Sequence, residues 1–280
     1  MCRLFGFRSV IKSQVHSSLV EADNALLHQS NQHPDGWGVA YYLENAPHVI
    51  KSVQSAVSDH LFQKVSGLVA SETVLAHLRK ATLGDMSITN THPFQYGRWV
   101  FAHNGNIKGF DQHRPALLAL VDEDLAPYIL GESDTELIFF ILLTQMRQKF
   151  ELREEMLHIN VVADAVRAAM NQIIEIIGPF SETEEGPTET YLTFILTNGH
   201  IMLGFHGGKP LLYSTYKTKC PDRGFCPSFS ESCEAETKDG LVNHLVLSSE
   251  SLEGSNVFLP LSPGELVGVD HRMRLFLYNL

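Results

Sequence analysis

The sequence predicts a mixed fold of α-helices and largely antiparallel β-sheets, and two observations carry that reading. Short apolar runs bounded by turn residues cluster at both ends of the chain, and two long helical patterns lie between them. That order suits two sheets packed face to face with helices outside. Hydrophobic residues make up 44% of the 280 residues and charged residues 19%, the balance of a soluble globular protein with a sizeable core.

Strands are expected at Arg3–Phe7, Gly38–Tyr42, Val74–Arg79, Trp99–His103, Tyr191–Thr197, Ile201–Phe205, Leu211–Tyr213, Leu241–Ser248, Glu265–Val269 and Leu275–Tyr278. Val74-Leu75-Ala76 reads as a buried strand, and Trp99-Val100-Phe101-Ala102 as another. Helices are expected near Leu19–His28, His60–Val65, Pro115–Leu120, Thr135–Phe150 and Arg153–Ile177. Ser133-x-x-Glu136 ahead of Leu137-Ile138-Phe139-Phe140 is a capping-box pattern, so Ser133 and Glu136 read as helix caps. The acidic run Ser181–Glu189 reads as a surface linker, and no internal repeat is present. One domain over residues 1–280 is expected.

Cys2 stands directly behind Met1. Removal of the methionine would give one residue both a thiol and a free α-amine, whose unperturbed pKa of roughly 7.7–8.0 suits a base at neutral pH. A thiol beside its own base is an activated nucleophile. The plain alternative is that position two is incidental. Arg79 at a strand end suits a bidentate carboxylate pair, with a substrate or within the structure. Asn104-Gly105 at a strand end is either a turn or an oxyanion hole. In the second reading, Asn supplies a side-chain donor and Gly lets a backbone N–H approach closely. Asp134, in the first turn of a helix, either complements the helix dipole or faces a substrate ammonium.

Cys2, Ala76–Thr82, Asn90–Phe94, His103-Asn104-Gly105 and Ser133-Asp134-Thr135-Glu136, with His33-Pro34-Asp35-Gly36-Trp37-Gly38, occur in one order over the first half of the chain. Together they resemble the class II glutamine amidotransferases, which are N-terminal nucleophile amidohydrolases. The Met1-Cys2-Arg3 start and the His33–Gly38 segment resemble a stand-alone subgroup, similar to the γ-glutamyl hydrolases of ergothioneine synthesis and glutathione breakdown. The resemblance implies a four-layer αββα sandwich. It implies Cys2 as nucleophile with its α-amine as base, then acid. Asn104 and Gly105 would form the oxyanion hole, Arg79 would hold the substrate α-carboxylate, and Asp134 its α-ammonium. Thr82 and His92 would line the glutamyl pocket. Trp37 would support the wall, whereas His77 and His103 have no evident task.

A γ-glutamyl group offers one carboxylate, one ammonium and one amide carbonyl, which match one arginine, one aspartate and one oxyanion hole. The implied chemistry is hydrolysis of a γ-glutamyl amide through a thioester, with no metal and no organic cofactor. The partner expected is a small γ-glutamyl molecule. The alternatives are a catalytically silent subunit that binds a γ-glutamyl ligand, or an ammonia-supplying subunit of a separate synthase.

A net charge of −11 argues against a nucleic-acid surface or an acidic membrane patch. The absence of a long apolar run and of a signal-like start, with four cysteines, fits a reducing cytoplasmic compartment. Cys220, Cys226 and Cys233 fall in a Pro/Gly/Ser-rich segment with no standard zinc spacing, which reads as a solvent-facing insertion. Ser248–Leu252 with Pro263-Gly264 resembles a further segment of the stand-alone subgroup, although Ser251 stands where Pro is expected.

Overall fold

Strand alternation sorts the apolar residues into an inner and an outer set, and the fold follows from burying both. The computed structural model describes residues 2–14, 19–20, 25–80, 86–183, 186, 188–237 and 240–280. In chain order the elements are β1 (Arg3–Gln14), α1 (Leu26–Gln29), β2 (Trp37–Leu43), β3 (Ala46–Ser52), α2 (His60–Leu68), β4 (Ala70–Leu78), β5 (Phe94–Tyr96) and β6 (Trp99–Asn106). Then come α3 (Phe110–Leu118), α4 (Asp134–Arg147), α5 (Ile159–Ile177), β7 (Tyr191–Thr197), β8 (Met202–Phe205), β9 (Leu212–Ser214) and β10 (Gly240–Leu241). The chain ends with β11 (His244–Ser248), β12 (Leu259–Pro260), β13 (Glu265–Val269) and β14 (Arg274–Asn279).

Among the described residues these strands form two antiparallel seven-stranded sheets. Sheet A has the order β12-β9-β11-β1-β4-β2-β3, and sheet B the order β10-β14-β13-β8-β7-β6-β5. The sheets share an inner core that includes Leu4, Ala40, Leu75, Val100, Ala102, Ile195 and Val267. Sheet B's other face packs on α3, α4 and α5 through Phe101, Phe139, Phe194, Met170 and their neighbours. Sheet A's other face carries Phe5, Trp37, Val39, Val74 and Ala76 against Phe62 and Val65 of α2. The result is the four-layer αββα sandwich.

Several boundaries depart from the sequence pattern. β3 was not expected. It follows a hairpin through Glu44 and Asn45, at φ 49° and 66°, where Asn-Gly would be the usual signal, and it carries Pro47 on the sheet edge. The expected strand Leu241–Ser248 is two strands. Gly240–Leu241 pairs with β14 in sheet B, and His244–Ser248 pairs with β1 in sheet A, so the chain crosses between layers at Val242-Asn243.

The helix expected at Pro115–Leu120 begins earlier, from a turn at Gly109 with φ 64°, and takes Pro115 inside it. The helix expected from Arg153 begins at Ile159. Trp99 Nε1 donates to the Leu152 carbonyl at 3.1 Å and Arg98 pairs with Glu155 at 2.9 Å, which hold the preceding residues as a loop. Of the helix expected over residues 19–28, α1 covers only Leu26–Gln29 and runs on into a 3-10 turn at Ser30–Gln32; residues 21–24 lie outside the described residues.

The cysteine segment is solvent-facing over much of its length, with Phe225 79% exposed, but two of its thiols are not. Cys220 and Cys233 are buried, and with Cys226 they line a cavity of about 380 Å³ above β1 and β11. Asn243 Nδ2 ties the segment down by donating to the Ser228 carbonyl at 2.7 Å and to Cys233 Sγ at 2.9 Å. No helix among the described residues is long and apolar enough to cross a membrane.

Candidate active site

β1 lies in the middle of sheet A, with Arg3 opposite Leu78 and Leu4 opposite His77 on β4. Leu4 and Leu75 belong to the inner core, whereas Phe5 and Ala76 belong to the outer one. Strand alternation therefore turns Cys2, His77 and Arg79 towards sheet B. Cys2 is 9% exposed. Its Sγ accepts the Lys80 N–H at 3.3 Å and donates to the Lys80 carbonyl at 3.5 Å. Burial pushes the Cys2 thiol up, against the lowering effects of the Lys80 hydrogen bond and the nearby Arg79 charge; Asp134 raises it further. One thiol thus feels both the arginine and the aspartate that the sequence singled out. A raised thiol needs a base before it can attack.

The opposing wall is β6. Val100 and Ala102 are inner-core residues, so Asn104 and Asn106 share their face. The turn reading of Asn104-Gly105 fails. Both residues continue β6, with Asn104 opposite Thr193 and Gly105 opposite Leu192 on β7. A turn would have broken this ladder. Gly105 is required sterically, because a Cβ there would overlap the Tyr191 carbonyl oxygen and stand 2.6 Å from His103 Nε2.

His103 crosses over that glycine. Its Nε2 is 3.0 Å from the Tyr191 carbonyl and its Nδ1 is 2.9 Å from Thr135 Oγ1. A carbonyl only accepts, so Nε2 carries the proton and Nδ1 receives the Thr135 hydroxyl. Burial lowers the His103 pKa, opposed by Asp134 and by the Tyr191 bond. His103 therefore ties β6 to β7 and α4 as a neutral ring, a task the sequence left open.

Ser133 caps α4 by accepting the Glu136 N–H at 3.2 Å. Glu136 does not complete the expected box. Its carboxylate turns back to accept the N–H groups of Leu130 and Gly131, at 3.1 and 2.6 Å, and fixes the loop before the cap. Asp134 Oδ2 accepts the Ile107 N–H at 2.7 Å and Oδ1 the Thr135 N–H at 2.7 Å. The carboxylate thus joins the end of β6 to the start of α4. A carboxylate has about four acceptor positions, so capacity for a cation is left.

His92 sits behind this wall. Its ring lies 4.1 Å from the His77 ring, and its Nδ1 accepts the His103 N–H at 3.5 Å. Burial first, and then neighbouring positive groups, hold the His77 and His92 pKa values well below the ordinary imidazole range. The His92 carbonyl presses on β2 where only Gly38 leaves room. Trp37 points the other way, into the outer core, edge-on to Phe62 at 5.0 Å with Nε1 donating to Asp59 at 3.0 Å. Met1 and Thr82 lie outside the described residues. Among the described residues no group of three or more His, Cys, Asp or Glu is arranged to hold a metal ion.

Two positioning groups had no role assigned to them from the sequence. The Lys80 backbone holds the thiol through its amide and carbonyl, which no side chain reports. Ser249 brackets the first strand, its Oγ accepting the Leu4 N–H at 3.0 Å and its N–H donating to the Leu4 carbonyl at 3.1 Å. The adjacent Glu250 pairs with Arg3. Ser248–Leu252 therefore anchors the segment that carries Cys2.

Residues 1–214 match the family described as class-II glutamine amidotransferases. An uncharacterised protein of Methanocaldococcus jannaschii is 34% identical over 155 residues, 53% of this chain and 40% of that one. The probable glutamine amidotransferase DUG3 of Saccharomyces cerevisiae is 29% identical over 160 residues, 51% of this chain and 45% of its own. A γ-glutamyl-hercynylcysteine sulfoxide hydrolase of Mycobacterium tuberculosis is 36% identical over 72 residues, 25% of this chain and 31% of its own. The matches thus span about half or less of these relatives' lengths. The solved structure of a glutamine aminotransferase class-II domain protein from Silicibacter pomeroyi superposes with a TM-score of 0.64 at 18% identity, covering 100% of this chain and 98% of that one. At that identity it supports the fold.

Proposed function

The chain belongs to the class-II glutamine amidotransferases, and we propose that it hydrolyses a γ-glutamyl amide through a thioester on Cys2. The observation that carries this reading is the placement of the Cys2 thiol. It is held by the Lys80 backbone, within the fields of Arg79 and Asp134, on the face that looks across to Asn104.

In the proposed cycle Met1 is removed and the Cys2 α-amine takes the thiol proton. The sulfur attacks the γ-carbonyl carbon, and Asn104 Nδ2 with the Gly105 N–H stabilises the oxyanion. The C–N bond breaks as the α-ammonium protonates the departing ammonia or amine. Water then attacks the thioester, with the amine as base, and releases glutamate and the thiol. Arg79 and Asp134 hold the α-carboxylate and α-ammonium, and Thr82 and His92 line the pocket. The relative named a γ-glutamyl-hercynylcysteine sulfoxide hydrolase supports a γ-glutamyl compound as substrate, and the relatives named glutamine amidotransferases support glutamine.

The test is a substrate screen of the Met1-processed enzyme against glutamine, glutathione and other γ-glutamyl peptides, with intact mass before and after a diazo-ketone glutamine analogue. Turnover of at least one substrate and a single adduct on Cys2 are expected. Full activity from protein retaining Met1, or an adduct mainly on Cys220, Cys226 or Cys233, would overturn the mechanism.

A further inference from the structure

Lys209 is one of the largest fully buried side chains, at 1% exposure, and its Nζ has no hydrogen-bond partner among the described residues. It lies 3.5 Å from the centre of the Tyr191 ring. A buried ammonium without an acceptor is costly, and a cation–π contact offsets only part of that cost.

The chain is built to deliver it there. Thr193 Oγ1 accepts the N–H of Gly207 at 3.0 Å and of Lys209 at 2.9 Å, and donates to the Lys209 carbonyl at 2.8 Å. A Cβ on Gly207 would stand 2.5 Å from the Leu192 carbonyl carbon, and one on Gly208, at φ 94°, would overlap the Ser181 carbonyl oxygen. Two glycines and a threonine thus fix the approach of one lysine.

Its surroundings lead to the oxyanion wall. Tyr191 is opposite Asn106, and Thr193 opposite Asn104. Directly opposed residues of an antiparallel pair have Cβ atoms about 4.5–5.5 Å apart. Leu192 and Phe194 face the helices and Ile195 the inner core, so Tyr191 and Thr193 share the face of Asn104 and Asn106. On that face Asn104 Oδ1 and Asn106 Oδ1 are buried without a hydrogen-bond donor among the described residues. Two acceptors without donors thus share the face of the Tyr191 ring that the Lys209 ammonium covers, and no hydrogen bond joins the lysine to either asparagine.

We propose that Lys209 is a positioning residue for the oxyanion hole, its ammonium orienting the Asn104 amide with Oδ1 towards the lysine and Nδ2 towards the Cys2 sulfur. An asparagine amide turned the other way presents an acceptor to the developing oxyanion and repels it. A fixed cation behind Oδ1 selects the productive orientation and polarises the N–H that donates. The catalytic consequence rests on the γ-glutamyl hydrolase reading; the orientation itself does not.

Lys209→Met keeps the length and removes the charge. It is expected to lower kcat by about 10- to 100-fold, less than loss of an oxyanion donor itself, with ligand affinity in a Cys2→Ala background changed less than about 3-fold. In an Asn104→Ala background the same change is expected to cost less than about 2-fold, because its effect runs through Asn104. Lys209→Arg restores part of the loss. Equal losses in both backgrounds, or unaltered kcat, would overturn the proposal.

A second readout needs no turnover. In the Cys2→Ala protein, the Asn104 side-chain amide resonances, identified by their loss in Asn104→Ala, are expected to shift in Lys209→Met, and in Lys209→Arg should the Met variant not fold. Unshifted resonances refute the proposal. Wild-type protein that hydrolyses no γ-glutamyl compound refutes the functional reading and leaves the resonance test to decide this one.

Discussion

Cys2 and Cys233 are buried to nearly the same depth, at 9% and 7% exposure, on opposite faces of the same sheet. Cys2 faces inward. Its sulfur is gripped by the Lys80 backbone and lies between the fields of an arginine and an aspartate. Cys233 faces outward, accepts a hydrogen bond from Asn243 and lines a cavity with Cys220, Cys226 and His244. Both are small sulfur groups removed from water. What separates them is what surrounds the sulfur: charges that match the two ends of an amino acid and an amide wall in one case, a thiol-lined cavity in the other.

Exchange of the two thiols is the sharpest way to break the comparison. Cys2→Ala is expected to abolish turnover with little change in Tm, whereas Cys233→Ala keeps turnover within about 2-fold, because the proposed mechanism assigns the nucleophile to Cys2. A steady-state assay with melting curves decides it. Comparable losses in both variants would erase the distinction.

Removing the charges around Cys2 tests whether they bind substrate. Arg79→Ala and Asp134→Ala, each measured by ligand titration in a Cys2→Ala background, are expected to lose about 2–5 kcal/mol of binding for a desolvated pair. Asp134→Ala also strips the acceptor from Ile107 N–H and lowers Tm. Unchanged affinity in both variants would leave the pocket unexplained.

The outer cavity has a signature in pH. Burial first, and then the Lys217 charge, lower the His244 pKa to about 4, from 6.5 for an ordinary imidazole. The unfolded chain therefore binds more protons than the folded one between those values. His244 contributes its full stability above pH about 6.5, and that contribution is lost as pH falls to about 4. Its size is on the order of 3 kcal/mol at most. His77, His92 and His103 act in the same direction from the inner site. His244→Gln is expected to flatten part of the acid slope of stability between pH 4 and 6.5, read by denaturant titration at several pH values. A slope identical to wild type would assign it to other groups, among them the inner histidines and His200 and His206, whose pKa values burial also lowers.

The smallest effect concerns the anchor of the first strand. Ser249→Ala removes the acceptor of the Leu4 N–H and is expected to cost about 1 kcal/mol. A drop in kcat beyond that expected from stability, measured well below Tm, would show that the anchor also sets the position of Cys2.

The sequence by itself determined the parts that depend on local pattern and on residue chemistry. The unbroken apolar runs Val74–Ala76 and Trp99–Ala102 identify buried strands, and Ser133 marks where α4 begins. Cys2, Arg79, Asn104 and Asp134 stand out in the sequence as candidates because each carries a group that the proposed chemistry would use. Only the tertiary structure decided which strand each face meets. Nothing local states that the chain leaves sheet B at Leu241 and enters sheet A at His244, since both halves have the same apolar pattern. Nor does an Asn-Gly pair announce that it continues a strand: Asn104-Gly105 does so because β7 completes its ladder and His103 needs the space over Gly105. The cysteine segment is largely exposed, as its loop composition suggests, yet Cys220 and Cys233 are buried over the outer face of β1 and β11, which composition does not report. The physical reason is common to all three. Hydrophobic periodicity is a property of one strand, whereas register, layer and burial belong to contacts between residues far apart in the chain, and those are fixed only when the sheets close on each other.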